Sequence, residues 1–302
     1  MIQMSKLEDN VNEILGIDKD STTAVKVADF MQPAPVPRKI DEDKTDIDND
    51  YVNSRDNYYN LIDKLPSYIK PLGLGTEKYP DHWLAEKNGE NIANLNKYYG
   101  QYTGIYWIWK NQLKDMADED WIGTCEYRKL WLNDLYYKKQ KFSIRSLYSN
   151  LLKADNKIFK NCDVILVQPI IFKEETIYQQ FNKVHKVNIL EDCINFLENN
   201  EKEKFKKYLN GNKLSVPPLF ITKVNLFKKF CEVIFPLLEK YYDYCMKNDL
   251  CYDYNLRLPA YLIERYASFW FEENYKIQYL SHARMGKFMI SNKVNKYINP
   301  IK

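Results

Sequence analysis

Residues 162–169, CDVILVQP, contain four consecutive apolar side chains, Val164 to Val167, with no polar alternation. A strand that is apolar at every position has to be covered on both faces, which is the setting of a central strand in a layered α/β fold. DWIGTC at 120–125 has the same character, and VPPLFITK at 216–223 is a shorter strand candidate. Between and after them the apolar spacing changes to three and four residues. It predicts a helix over 94–116, carrying Leu95, Tyr99, Tyr102, Tyr106, Trp109 and Leu113, with Gly100 and Gly104 leaving room for a close neighbour. Further helices are expected over 175–183, 190–198, 201–209, 224–247 and 254–270, and the Pro- and Gly-rich stretch 65–83 reads as loop. Strands interleaved with helices point to an α/β layer fold rather than a bundle.

The front of the chain has a different make-up. Residues 1–64 carry 14 acidic against 8 basic side chains, whereas the remainder is basic, 36 against 27, within a net charge of +3. Helices are expected over 5–16 and 50–64, joined by MQPAPVPRK, an extended Pro-rich linker, and by the acidic run DEDKTDIDND. The first fifty or so residues lack the apolar content for a core of their own and are expected to be mobile. Two regions follow: a leader, 1–64, and a main domain, 65–302. The mild positive balance of the main domain suits anionic ligands such as nucleotide phosphates, or an anionic membrane face. It is too weak to predict direct nucleic-acid binding.

Six Cys occur singly, without a C-x-x-C pair, and read as buried thiols of a reducing cytoplasm. Three scattered His residues argue against a His-based metal site, and no apolar run is long enough to span a bilayer. The N-terminus is polar and acidic, unlike a secretion signal.

The stretch DEDWIGTCEYRKLW, 118–131, then poses the functional question, because an apolar strand runs directly into Glu126, Tyr127, Arg128 and Lys129. In open α/β sheets ligands bind at the carboxyl ends of strands. Arg128 and Lys129 on that rim can neutralise a diphosphate. Glu126 can hold a sugar hydroxyl, orient an Arg or act as a base. The same residues can equally cap the strand and pair with one another.

These residues also carry a resemblance. YGQYTGIYWIWKNQLKDMADEDWIGTCEYRKLW resembles the signature of a bacterial capsular and exopolysaccharide glycosyltransferase family, long described as a domain of unknown function and associated with galactofuranosyltransferases. Thr103, Tyr106, Trp107, Ile108, Trp109, Lys110 and Asn111 match its first block; Gly123, Cys125, Tyr127 and Arg128 match its second. EKNGENIA matches an upstream motif at Gly89, Asn91 and Ile92, and YDYNLRLPAYLIERYASFW matches a late helix at Arg257, Leu262, Glu264, Arg265 and Trp270. The resemblance covers roughly 68–272. It implies a helix-rich, Rossmann-like domain of the A-type glycosyltransferase architecture and an inverting hexosyl or galactofuranosyl transferase. The donor would be a UDP-sugar and the acceptor a glycan or lipid-linked glycan, with peripheral association at the inner membrane face. Under that reading Tyr127, Arg128, Lys129, Asn91 and Arg257 bind the donor and its phosphates. Glu126, Asp253 or Glu264 supplies the catalytic carboxylate, although Glu264 beside Arg265 reads equally as a buried helix ion pair.

The sequence departs from the family pattern in several places. Glu126 stands where the family has His, Lys129 where it has a second Arg, and Pro218-Leu219-Phe220 where it has Asn-Met-Phe. No Asp-x-Asp pair follows a strand end, so a divalent metal is not expected. The family's opening strand is not evident between Met1 and Ile69, so the domain is expected to lack its first strand. Residues 5–64 instead resemble the N-terminal segment of small terminase subunits of tailed phages. That implies a phage-infected host and a large terminase subunit as partner, and it leaves a packaging-associated binding protein or an inactive fusion as alternatives to a transferase.

Overall fold

In the computed structural model, side chains along the central strands alternate between two cores, one on each face of a mixed sheet. The structure describes residues 25–31, 62–126, 129–134, 141–142, 144–153, 156–215, 219–285 and 290–292. The strands are β1 (Val25–Met31), β2 (Ile69–Gly73), β3 (Leu84–Ala85), β4 (Trp121–Glu126), β5 (Lys129–Trp131), β6 (Lys141–Phe142) and β7 (Val164–Val167). They continue with β8 (Ile170–Ile171), β9 (Lys213–Leu214), β10 (Phe220–Lys223), β11 (Ile277–Leu280), β12 (His282–Met285) and β13 (Ile290–Asn292). The main ladder runs β3-β2-β1-β4-β10-β7-β11. Its first four strands are mutually parallel, β10 is antiparallel to both neighbours, and β11 is parallel to β7. At its tip β4 turns into β5, from which an antiparallel extension β5-β12-β13-β6 leaves the ladder.

The helices are α1 (Asn96–Tyr99), α2 (Tyr102–Asn111), α3 (Ile144–Asn150), α4 (Ile177–His185), α5 (Leu190–Ile194), α6 (Asn199–Leu209), α7 (Val224–Lys247) and α8 (Leu258–Asn274). Val164, Leu166, Ile122 and Phe220 face the larger core, which α1, α2 and α4 to α8 cover; Ile165, Val167, Trp121, Cys125 and Ile221 face the smaller one with Leu147 and Leu151. This is the period-two alternation of a strand buried on both sides. Helix α8 is apolar nearly all round, with Leu262, Ile263, Tyr266, Ala267, Phe269 and Phe271 buried, as a helix enclosed within the layer must be. The isolated charges Glu264 and Arg265 on such a helix therefore stand out.

Several expectations are corrected. The first strand is present: Val25–Met31 pairs in parallel with β2 (Val27 opposite Ile69) and with β4 (Val25 opposite Trp121). It lies inside the stretch expected to be mobile. Its sequence alternates apolar residues only at Val25 and Val27 before Asp29 breaks the pattern. Its backbone partners, about forty and a hundred residues away along the chain, are invisible to local reading. The helix expected over 5–16, residues 50–61 of the helix expected over 50–64, the linker after Met31 and the acidic run lie outside the described residues. Ile69–Gly73 is a strand, not loop, and strands also occupy 277–280 and 282–285, a region to which no element was assigned. The helix expected over 94–116 is two helices, broken at Gly100, whose φ of 56° an L-residue rarely adopts. The helix at 224–247 is observed over that span.

Gly123 lies opposite Ile221 across the β4–β10 ladder, and a Cβ there would sit 2.5 Å from Ile221 Cγ1. Gly123→Val is therefore expected to destabilise the protein by about 1–3 kcal/mol through overpacking, read as a lower urea midpoint with an unchanged m-value.

Candidate active site

The two family-like motifs upstream of β4 recognise one another. Asn111, at the end of α2, donates from Nδ2 to Glu90 O (2.8 Å) and to Trp107 O (2.9 Å), and its Oδ1 accepts from Glu90 N (3.1 Å). Trp107 Nε1 donates to Asn88 O, and Tyr106 Oη donates to Glu90 Oε1 at 2.9 Å. Gly89, with φ 85°, passes so close that a Cβ would meet Asn111 Oδ1 at 2.3 Å. Asn91 caps its own turn, donating to Gly89 O and accepting from Ala93 N. Buried Glu86 accepts from Gly75 N at 2.6 Å and so ties this loop to the exit of β2; burial raises its carboxyl above the usual range. The Tyr-Trp-Ile-Trp-Lys-Asn block is thus a clamp on the 86–93 loop, and it fixes α2, whose first residue enters the site.

That site lies where the tip of β4 meets the first turns of α8. Glu126 ends β4, pairs in register with Lys129, and its carboxylate makes a short ion pair with the Lys129 ammonium. Trp131 Nε1 donates to Thr124 O (2.8 Å), which holds the β4–β5 turn against the strand. Tyr127 and Arg128 lie outside the described residues. From α8, Glu264 faces this turn with its side chain 18 % exposed. Burial is the main influence on its carboxyl, pushing it up to about 7; the positive charges of Arg265, Lys129 and Arg257 pull it back, and Glu126 adds to the rise. Arg265 is buried. Its Nη1 donates to Tyr261 O (2.8 Å) and lies 3.4 Å from Glu264 Oε2, and its Nη2 donates to Gln180 Oε1 (3.1 Å) of α4. Tyr102, the first residue of α2, is fully buried within electrostatic range of Glu264 and Arg265, and burial raises its phenol well above the usual range.

A short 3-10 turn, Asp253–Arg257, leads into α8. Asn255 anchors it to the end of α4, since its Nδ2 donates to His185 O (2.8 Å) and its Oδ1 is 3.1 Å from His185 Nδ1. His185 is buried, which lowers its imidazole to about 4 and keeps the ring neutral at ordinary pH. Arg257 at the end of the turn is within electrostatic range of Tyr261 and Glu264. Asp253 begins the turn, exposed and with φ 45°.

Of the residues expected from sequence, the fold brings Glu126, Lys129, Arg257 and Glu264 together, whereas Asn91 is engaged with its own loop and Asp253 is exposed to solvent. Glu264 is paired with Arg265, as the ion-pair reading expects, and it also sits at the charged strand exit. Sequence reasoning missed Tyr102, Gln180, His185, Asn255 and Tyr261. Only Tyr261 had a local signal, being one helical turn before Glu264. Asp118 and Asp120 serve α7 instead, Asp118 through a 2.8 Å ion pair with Lys228 and both through main-chain carbonyls that accept from Asn225 and Val224. No helix among the described residues is long and apolar enough to cross a membrane.

A family model described as "Domain of unknown function (DUF4422)" matches residues 57–275. Among solved structures, the chain is similar to the apo structure of the WbbM bifunctional glycosyltransferase, with 14 % identity and a TM-score of 0.58 over 93 % of this chain and 48 % of that one. The chain thus spans about half the length of that structure, and the likeness is one of fold. No curated protein matches.

Proposed function

The chain belongs to the DUF4422 family, and from that premise we propose that it is a glycosyltransferase that moves a sugar from a nucleoside-diphosphate donor to a hydroxyl of a glycan. The observation that carries this reading is the Glu264 site. A carboxylate poised near neutral pH stands among three cationic side chains at the carboxyl end of a central parallel strand, which is where α/β sheets bind their ligands. A base works best when its pKa lies near the working pH. The likeness in fold to a known glycosyltransferase supports the same class.

In the proposed reaction the acceptor oxygen attacks the anomeric carbon as its O–H proton passes to Glu264. The bond from that carbon to the diphosphate oxygen breaks, and its electron pair leaves with the nucleoside diphosphate. Attack from the face opposite the leaving group would invert the anomeric configuration. Lys129 and Arg257, with Arg128 next in sequence to Lys129, are the cations that would neutralise the diphosphate as charge develops. Arg265, held by Tyr261 and Gln180, keeps the Glu264 carboxylate in place and limits the rise that burial imposes on it. A UDP-sugar, galactofuranose included, is the donor this reading favours.

Calorimetric titration with UDP tests it, with binding expected at or below millimolar concentration; no heat and no thermal shift there would remove it. The rate should also follow the base. With Glu264 active as carboxylate, kcat is expected to rise about tenfold per pH unit below about 7 and to level off above it. A profile flat from pH 5 to 8 would take Glu264 out of the proton transfer.

A further inference from the structure

Beside the charged groups of the site runs a ladder of aromatic rings that the transfer chemistry does not use. Phe181 in the core lies 4.5 Å, centroid to centroid, from His185, and His185 lies 4.7 Å from Tyr261. Tyr254 closes the ladder: it stacks on His185 at 5.6 Å and 25° and on Tyr261 at 5.9 Å and 23°. Tyr254 as a residue is nevertheless 51 % exposed, although Phe181 at the other end is fully buried. A large aromatic left half in solvent normally swings freely. This one is held in one plane by two rings beneath it, and its backbone is anchored by the Asn255–His185 pair.

The position of this ring suggests its use. Tyr261 precedes Glu264 by three residues, so the ladder stands about one helical turn from the carboxylate. Arg257 and Glu264 lie within electrostatic range of Tyr261. A flat aromatic face rimmed by hydrogen-bonding groups is suited to a sugar ring. The C–H-rich side of the sugar meets the negative face of the aromatic, and its hydroxyls reach the polar rim. The ladder is reached from the 3-10 turn, which ends at Arg257, and from α8, whereas Lys129 belongs to the β4–β5 turn.

Resting on the transferase reading, we infer that the exposed face of Tyr254 is the platform on which the sugar ring of the acceptor stacks, with its reacting hydroxyl directed to Glu264. The nucleotide then occupies the strand-end side of Glu264 and the acceptor the aromatic side.

Saturation-transfer NMR on the full-length protein, with UDP present and methyl β-D-galactopyranoside, methyl β-D-glucopyranoside and methyl α-D-mannopyranoside as probes, tests this. The wild type should transfer saturation to the ring C–H protons of at least one probe. Tyr254→Ala should bind that probe about three- to tenfold more weakly, while Tyr254→Trp should retain it. Circular dichroism melting checks that the variants are folded, and the Trp variant keeps the question answerable if the Ala variant is not. No transfer to any probe in the wild type, or equal binding by the Ala variant, would overturn the inference. So would a Tyr254→Ala protein that keeps the sugar signal but loses UDP affinity, because the ring would then hold the nucleobase. A wild type that binds a probe sugar but not UDP would remove the transferase reading and leave a sugar-binding platform standing.

Discussion

Glu264→Gln is expected to lower sugar transfer by about 10²–10⁴-fold, the usual contribution of a positioned general base, with UDP affinity retained. The substitution keeps the size and the hydrogen-bonding shape of the side chain but removes the ability to accept a proton. It should also stabilise the fold. The Glu264 carboxyl is raised from 4.5 to about 7 in the folded protein, mainly by burial, so the native state holds more protons than the unfolded one between those values. The contribution of this group to stability is therefore complete below about pH 4.5 and is lost as pH rises through about 7. Glutamine does not titrate, so the variant should melt higher than the wild type at pH 8, and the two should converge near pH 4.5. A lower rate with a higher melting temperature is the signature of a group retained for chemistry at the expense of stability. Undiminished transfer by Glu264→Gln would end the assignment, and a lower melting temperature at pH 8 would show that the Arg265 pair outweighs the burial.

Trp107→Ala is expected to be the most damaging change to the fold, costing about 3–5 kcal/mol. The residue is 4 % exposed, in the core between α2 and its neighbours, and its indole N–H is the donor to Asn88 O. Removing it opens a cavity and leaves that carbonyl without its donor, so the 86–93 loop should loosen with it. Trp109 belongs to the same motif but is only partly buried, stacked on Phe235 at 5.8 Å with the Lys110 ammonium 3.7 Å from its ring centroid. Trp109→Ala should therefore cost clearly less. Chemical denaturation of both variants provides the check. Equal losses would mean that the clamp on the loop adds nothing beyond ordinary aromatic burial.

The family-like signature illustrates how a specific sequence pattern can be legible while its role is not. Tyr106, Trp107 and Asn111 stand out in the sequence as a block, yet in the fold they hold the 86–93 loop. The carboxylate with the perturbed proton affinity comes instead from α8, more than 150 residues later, where the late-helix resemblance and a charged Glu264–Arg265 pair in an apolar stretch marked it. Tyr102 was read as one more member of a helical stripe. Gly100 turns the chain just before it, and the phenol enters the site because of that break.

By itself the sequence determined the central strands and the long helices, because unbroken apolar runs and three-to-four-residue spacing are local consequences of burial on two faces or on one. It also marked the charged exit of β4, since Glu126 and Lys129 adjoin an apolar strand in the chain. Only the tertiary structure decided that Val25–Met31 is a strand between β2 and β4, because parallel pairing draws on partners far along the chain and leaves a weak local pattern. It alone placed Lys129, Arg257 and Arg265 around Glu264. The proton affinity of a carboxylate depends on the water it loses and the charges that surround it, and neither exists until the chain has folded.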